Sequence, residues 1–411
     1  VVERTRSCSP GVNAAILVAT VLALFVGAEA VLRAVYHPVT VGSAIRYDPL
    51  LGWSLRPGAS VQTDITERHI HNHIVVNSLG LREREITVAN PHGRRRILIL
   101  GDSVAFGSGL EAGERFSDLL GRAFGSGVEV INAGVPGWGN DQELLFYERR
   151  LRALRPDVVV LTFTANNDVV NNALGGALLE GGTKPRFELA GDSLVLIPPG
   201  PPARPGPSAR VRSVLHRSRL LVFVKRRLMR LSYRRSVHEE TSRQLHGFES
   251  HRDLSHWSAY ENPGSDATRD AWRVTEAILA RLAADCRADS ARLVVFAMPL
   301  KLEVDDAWRE EVIRGTNADP SRLDMAYPYR RLAAWCDARG IEFRHPEAQF
   351  RAAAAHDTLY FRQDSHPNVR GNALAAEYLH GILSSPAPES AHRAGGGSSS
   401  RSRVPPEHAR S

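Results

Sequence analysis

Residues 96–103 read RILILGDS, an apolar run that ends in a glycine, an acid and a serine. Four consecutive large aliphatic residues, closed by a glycine, are too short a run for a helix. They fit a strand buried on both faces, as in a parallel sheet. Downstream, residues 114–124 carry helical periodicity, 128–132 (VEVIN) read as a strand, 142–154 as a helix and 158–163 (VVVLTF) as a second buried strand. This alternation predicts parallel strands joined by helical crossovers.

From Gly181 to about Pro263 the alternation stops. That stretch is rich in Pro and Arg, with one hairpin expected over 186–197, turning at Gly191-Asp192. It resumes with a helix carrying Trp272, Thr275, Leu279, Leu282 and Cys286, then a strand at 293–297, a helix at 329–338, a strand at 341–343 and a closing helix at 369–383. Five strands with helices between them predict an α/β fold, a three-layer α/β/α sandwich on a parallel five-stranded sheet. The expected organisation is a core of 93–180 and 264–383 split by a basic insertion, 181–263. Residues 37–92 form an extended addition ahead of it, and the Pro/Ser/Gly/Ala/Arg-rich residues 384–411 form a disordered tail.

The chain of 411 residues is 43% hydrophobic, enough to bury a substantial core, and its formal charge is +7. Residues 204–235 hold eleven basic side chains and no acid, which leaves the remainder mildly acidic. A basic surface for nucleic acid is therefore not expected; a local basic feature is. On a helix, Leu220, Leu221, Val224, Leu228 and Leu231 of that stretch share one face. A helix within 210–231 is thus expected either to cap the core or to rest on anionic lipid.

Residues 11–28 (GVNAAILVATVLALFVGA) are uncharged, follow Arg4 and Arg6, and continue in apolar character to Tyr36. This predicts a membrane anchor over 11–36, with 1–10 in the cytoplasm and the rest outside it; cleavage after Ala30 would instead release a secreted protein. Cys8, Cys286 and Cys336 have no metal-ligand spacing, and the last two are expected to be buried thiols. His69, His71 and His73 alternate as on one face of an edge strand rather than as a metal site. Asp305-Asp306 and Glu310-Glu311 read as a solvated turn and helix face. Gly107-Ser108-Gly109 lacks the lysine of a phosphate-binding loop, and no Gly-x-Ser-x-Gly surrounds a plausible nucleophile.

Chemistry is expected at the carboxyl ends of the strands, where open α/β sheets collect ligands. There the sequence places Ser103 after the first strand and Asn132-Ala133-Gly134-Val135-Pro136-Gly137 after the second. Thr164-Ala165-Asn166-Asn167-Asp168 follows the third, and Asp364-Ser365-His366-Pro367-Asn368 precedes the last helix.

In that order the four blocks resemble the SGNH (GDSL) hydrolases of the esterase and lipase type. The resemblance spans roughly 45–180 and 268–383, and the leader sequences Leu51-Gly52-Trp53 and Asn77-Ser78-Leu79-Gly80-Leu81-Arg82 look like the membrane-anchored bacterial branch. It implies Ser103 as nucleophile, His366 as base and Asp364 as its acidic partner. It also implies an oxyanion hole from the N–H groups of Ser103 and Gly137 and the amide of Asn167, with Asn166 as the alternative. The family's usual Asp-x-x-His is absent, since Gln363 stands at that spacing; Asp357 is the second candidate, and a Ser–His dyad the third arrangement.

The implied activity is hydrolysis of an acyl ester, of a glycan or lipid among others, without metal or cofactor. The same site can pass an acyl group to a sugar hydroxyl, as an O-acyltransferase, and a degenerate scaffold can bind a glycan or protein partner without catalysis.

Overall fold

The computed structural model describes residues 10–36, 41–65, 70–174, 183–191, 193–200, 215, 218–233, 254–316, 318–362 and 365–385. An N-terminal helix, α1 (Pro10–Val35), leads into two antiparallel hairpins. These pair β1 (Ile45–Asp48) with β2 (Gly52–Leu55) and β3 (Ser60–Ile65) with β4 (Ile70–Val75). The expected extended addition is therefore two short ribbons.

The core follows with β5 (Arg95–Leu100), α2 (Ser103–Phe106), α3 (Phe116–Phe124), β6 (Val128–Asn132), α4 (Asn140–Phe146), β7 (Val158–Phe163) and α5 (Ala165–Ala173). Next come the hairpin β8 (Arg186–Ala190) and β9 (Ser193–Ile197), and the basic helix α6 (Arg219–Tyr233). The second half of the core holds α7 (Asp266–Ala288), β10 (Arg292–Ala297), α8 (Lys301–Val304), α9 (Asp306–Gly315), α10 (Tyr327–Asp337), β11 (Glu342–Arg344), α11 (Glu347–Ala354) and α12 (Val369–Ser384).

Strand order is β11-β10-β7-β5-β6, and every pair is parallel. Alternate residues of the strands serve opposite faces, because successive side chains point to opposite sides of a sheet. Ile97, Ile99, Val158, Val160, Val294 and Phe296 join Phe116, Leu120, Ala375 and Leu379 of α3 and α12. Leu98, Leu100, Val159, Leu161, Val295 and Ala297 join α4, α7 and α10 through Leu144, Trp272, Leu282 and Leu332, together with Trp53 of the leader. The sheet is thus buried on both faces, which is why its strands read as continuous apolar runs.

The expected α/β/α sandwich is the observed one. The expected helix 142–154 is helical throughout but changes type: α4 ends at Phe146, a π-helical turn covers Tyr147–Leu151 and a 3-10 turn Arg152–Leu154. Short helices α8 and α11 were not anticipated, whereas α9 is the helix expected to carry Glu310 and Glu311. Cys286 and Cys336 are both buried, and burial pushes both thiols up to about 12, where they stay protonated. Cys8, His69, Asp192 and 386–411 lie outside the described residues, as does most of the 204–217 portion of the basic stretch. His73 Nε2 lies 2.8 Å from Ser60 Oγ, and no group of three metal-type ligands occurs among the described residues.

Candidate active site

The carboxyl ends of β5, β6 and β7 meet where the chain passes from one side of β5 to the other, the crevice expected of such sheets. Gly101 and Asp102 carry the chain from β5 into α2, which Ser103 opens. Asp102 caps that turn: its carboxylate accepts from the Val104 N–H at 2.8 Å, and it also accepts from the Asn167 side-chain amide. Thr164 Oγ1 stands 3.4 Å from it. Asp102 is fully buried, and burial pushes its carboxyl up against the bonds from Val104 and Asn167.

His366 reaches the same place from the far end of the chain. Its Nε2 lies 2.8 Å from Ser103 Oγ, and both residues are half-buried. The loop bearing His366 is held on both sides. Its carbonyl accepts from Phe361 N–H at 3.1 Å, and Asn368 Nδ2 donates to the carbonyls of Thr358 and Tyr360. Lys301 Nζ donates to the carbonyls of Phe361 and Arg362 at 3.1 and 3.0 Å. Asp364, expected to orient the imidazole, lies outside the described residues. Asp357, the second candidate, has its carboxylate on Arg370 Nε at 2.6 Å in an exposed pair.

The glycine turn after β6 lies alongside. Val135 N–H donates to the Gly101 carbonyl at 3.0 Å, and Asn132 Nδ2 donates to the Ala105 carbonyl at 2.6 Å. Gly134 has to be glycine, since a Cβ there would stand 2.4 Å from the Phe106 nitrogen. Gly137 has φ +80° and is half-buried.

After β7, the Asn167 amide is tethered to Asp102 through one N–H, and its NH₂ group retains a second. Asn166 makes no matching tie among the described residues: its Oδ1 is buried with no hydrogen-bond partner among them, and its backbone carbonyl accepts from His256 Nδ1 at 2.9 Å. That bond requires the proton of His256 to sit on Nδ1. Of the two asparagines considered from sequence, Asn167 is the one joined to the nucleophile turn.

Five side chains that support the site were not assigned this role from sequence. Arg82, buried, donates to the carbonyls of Phe106, Gly107 and Leu110, bracing the loop behind the nucleophile. Trp53 Nε1 donates to the Pro136 carbonyl at 3.1 Å, while Trp138 Nε1 donates to the Trp53 carbonyl at 3.1 Å, clamping the glycine turn. Both leader motifs therefore hold the site. Lys184, 2% exposed, pairs with Asp141 and donates to the Asn171 carbonyl of α5 at 2.6 Å. His256 holds the other end of α5. Only three lysines occur in a chain dominated by arginine, and two of them, Lys184 and Lys301, are buried; that bias was the available signal.

Beneath α5 lies a buried acidic group. Glu143 Oε2 accepts from Asn140 Nδ2 at 3.0 Å while its Oε1 has no partner among the described residues. Burial pushes the Glu143 carboxyl up to about 8, with Asp102 and Asp141 adding to the shift, so it carries a proton at neutral pH. Asp168, whose carboxylate accepts from the Thr164 N–H at 2.7 Å, is pushed well above the ordinary range by burial and then by Glu143.

No protein-family model matches the chain, and no curated protein matches its sequence. Solved structures do show likenesses. An acetylxylan esterase from Geobacillus stearothermophilus is 13% identical, with 71% of this chain and 95% of that one covered at a TM-score of 0.37. A member of the lipolytic G-D-S-L family from Veillonella parvula is 12% identical, covering 71% and 98% at 0.35. A GDSL-like lipase from Bacteroides thetaiotaomicron is 12% identical, covering 71% and 88% at 0.33.

Proposed function

We propose that the protein is a serine hydrolase of the SGNH (GDSL) type acting on carboxylic esters. The observation that carries this reading is the 2.8 Å approach of His366 Nε2 to Ser103 Oγ, made across 263 residues of sequence, at the strand ends of an α/β sheet. Nucleophile and base within hydrogen-bond reach are the minimum requirement for activating a serine.

In the reaction, neutral His366 accepts the Ser103 proton as Oγ attacks the ester carbonyl. The oxyanion that develops is held by the N–H groups of Ser103 and Gly137 and the remaining amide N–H of Asn167, which needs no reorganisation because Asp102 already holds the amide. Protonated His366 gives its proton to the leaving alcohol. Water, deprotonated by the same imidazole, then attacks the acyl-enzyme and frees Ser103 and the acid. Asp364 is assigned the part of orienting the imidazole, two residues along the same loop.

Helix α1 supports a membrane location. Gly11–Val35 is long and apolar enough to cross a bilayer, and none of its best apolar stretch is buried against protein. With Arg4 and Arg6 ahead of it, α1 anchors the enzyme and leaves the site outside the cytoplasm.

The test is turnover of p-nitrophenyl acetate by the chain and by Ser103→Ala, with circular dichroism to confirm that both are folded. The expected loss is about 10³-fold or more. Equal turnover in the two proteins would sink the assignment.

A further inference from the structure

The N-terminal anchor and the basic helix are joined. Glu29, near the outer end of α1, caps the start of α6: its carboxylate accepts from the backbone N–H groups of Arg219 and Leu220 at 3.0 Å each and from Ser218 Oγ at 2.8 Å. Two orphan N–H groups at a helix start are thereby satisfied by one side chain, and a negative charge sits at the positive end of the helix dipole. Two turns further along α1, Tyr36 packs edge-on against Phe223, with ring centroids 5.3 Å apart. The residues partly covered along α1 and just past its end are Ala28, Glu29, Leu32 and Tyr36, a stripe at helical spacing, whereas residues 11–27 are exposed all round. Among the described residues the 11–27 portion of α1 is thus bare, and α6 packs against its far end.

The side of α6 that remains open has a definite pattern. Leu221, Val224 and Leu228 are exposed, and at the usual turn per residue they fall within about 60° of one another. Lys225 borders that stripe on one side and Arg227 on the other, and both are exposed. An apolar stripe with a cation on each rim is what a helix presents to a lipid interface, where aliphatic side chains enter the acyl boundary and basic groups reach the phosphates.

We propose that the outer stripe of α6 is a second membrane contact, a site for an anionic lipid surface, set beside the end of the anchor by the Glu29 cap. A neutral surface would satisfy Leu221, Val224 and Leu228 but not the rim; a phosphate-rich anionic one satisfies both. This inference rests on the reading of α1 as an anchor and is independent of the chemistry at Ser103. Each interfacial basic residue favours an anionic surface by enough to slow local opening about fivefold.

The experiment is amide hydrogen exchange on the full chain in nanodiscs of phosphatidylcholine alone and of a phosphatidylcholine–phosphatidylglycerol mixture. It is repeated with the double variant Lys225→Gln/Arg227→Gln. The expected result is exchange across residues 219–228 slowed about fivefold or more by phosphatidylglycerol, reversed by salt and lost in the double variant, whose ester turnover is unchanged. Equal exchange in the two lipids contradicts the inference while leaving the anchor standing. Protection that depends instead on the number of chains per disc also contradicts it, because the stripe would then bind a second copy. A chain that does not enter discs of either composition removes the anchor reading and this inference together.

Discussion

The two halves of the candidate site are held in different ways. The turns that carry Ser103 and Gly137 are braced by the leader through neutral or singly charged donors that end on backbone carbonyls: Arg82 on the nucleophile loop and Trp53 on the glycine turn. Helix α5, which carries Asn167, is braced by the two ends of the insertion, Lys184 and His256, over a layer of buried carboxyl groups. Carbonyls do not titrate, and a donor is all they need. Buried carboxyls do titrate, and a buried ion pair is secure only while both partners remain. The bonds from Arg82 and Trp53 therefore end on groups that do not titrate, while the ion pair and the carboxyls around α5 are where single substitutions should act most strongly.

The largest effect is expected at Lys184. Lys184→Met leaves Asp141 buried and unpaired and should cost about 3–5 kcal/mol in chemical denaturation. Replacing both partners, as in Lys184→Met/Asp141→Met, should restore much of that loss, because the uncompensated charge is gone. If the double variant is as unstable as the single one, the pair is not what secures α5.

Arg82→Met sharpens the other side. It removes charged donors from three carbonyls, with an expected loss of about 2–3 kcal/mol and a fall in kcat larger than any change in KM, since the loop behind Ser103 loosens. A change confined to KM would assign Arg82 to substrate binding instead.

The most gradual effect, spread over several pH units, tests the acidic layer. Glu143 binds its proton more tightly folded than unfolded, with a folded value of about 8 against an ordinary 4.5. Between those values the folded state holds more protons than the unfolded one, so stability falls as pH rises through that window. The decline is up to about 1.4 kcal/mol per pH unit for this one proton. Glu143→Gln, which cannot ionise, should flatten the slope between pH 5 and 8, measured by urea denaturation at several pH values. An unchanged slope would place the titration elsewhere.

The same contrast explains what could be read in the sequence. Buried parallel strands announce themselves as apolar runs, and the short blocks after them stood out because glycine, serine, asparagine and histidine gather where the pattern breaks. The blocks were found that way, the family resemblance then singled out Ser103, Gly137, Asn167 and His366 within them, and the structure brings Ser103 and His366 into contact. The acidic layer was hidden for a physical reason. Asp141 and Glu143 look like ordinary solvated acids in the first turn of a helix, where the dipole favours them, yet that turn is wholly buried. Lys184 and His256 were concealed by their neighbourhood, a Pro- and Arg-rich stretch whose lack of periodicity gave no hint that its ends return to α5. The leader motifs were noticed, but only contacts across the fold reveal that Arg82 and Trp53 support two separate turns.

The most direct test of the account is covalent labelling with a fluorophosphonate, mapped by mass spectrometry. A serine activated by an imidazole should give a single adduct on the peptide containing Ser103, absent from Ser103→Ala and strongly reduced in folded His366→Ala. An adduct on another serine, or labelling of Ser103 that is indifferent to the loss of His366, would contradict it.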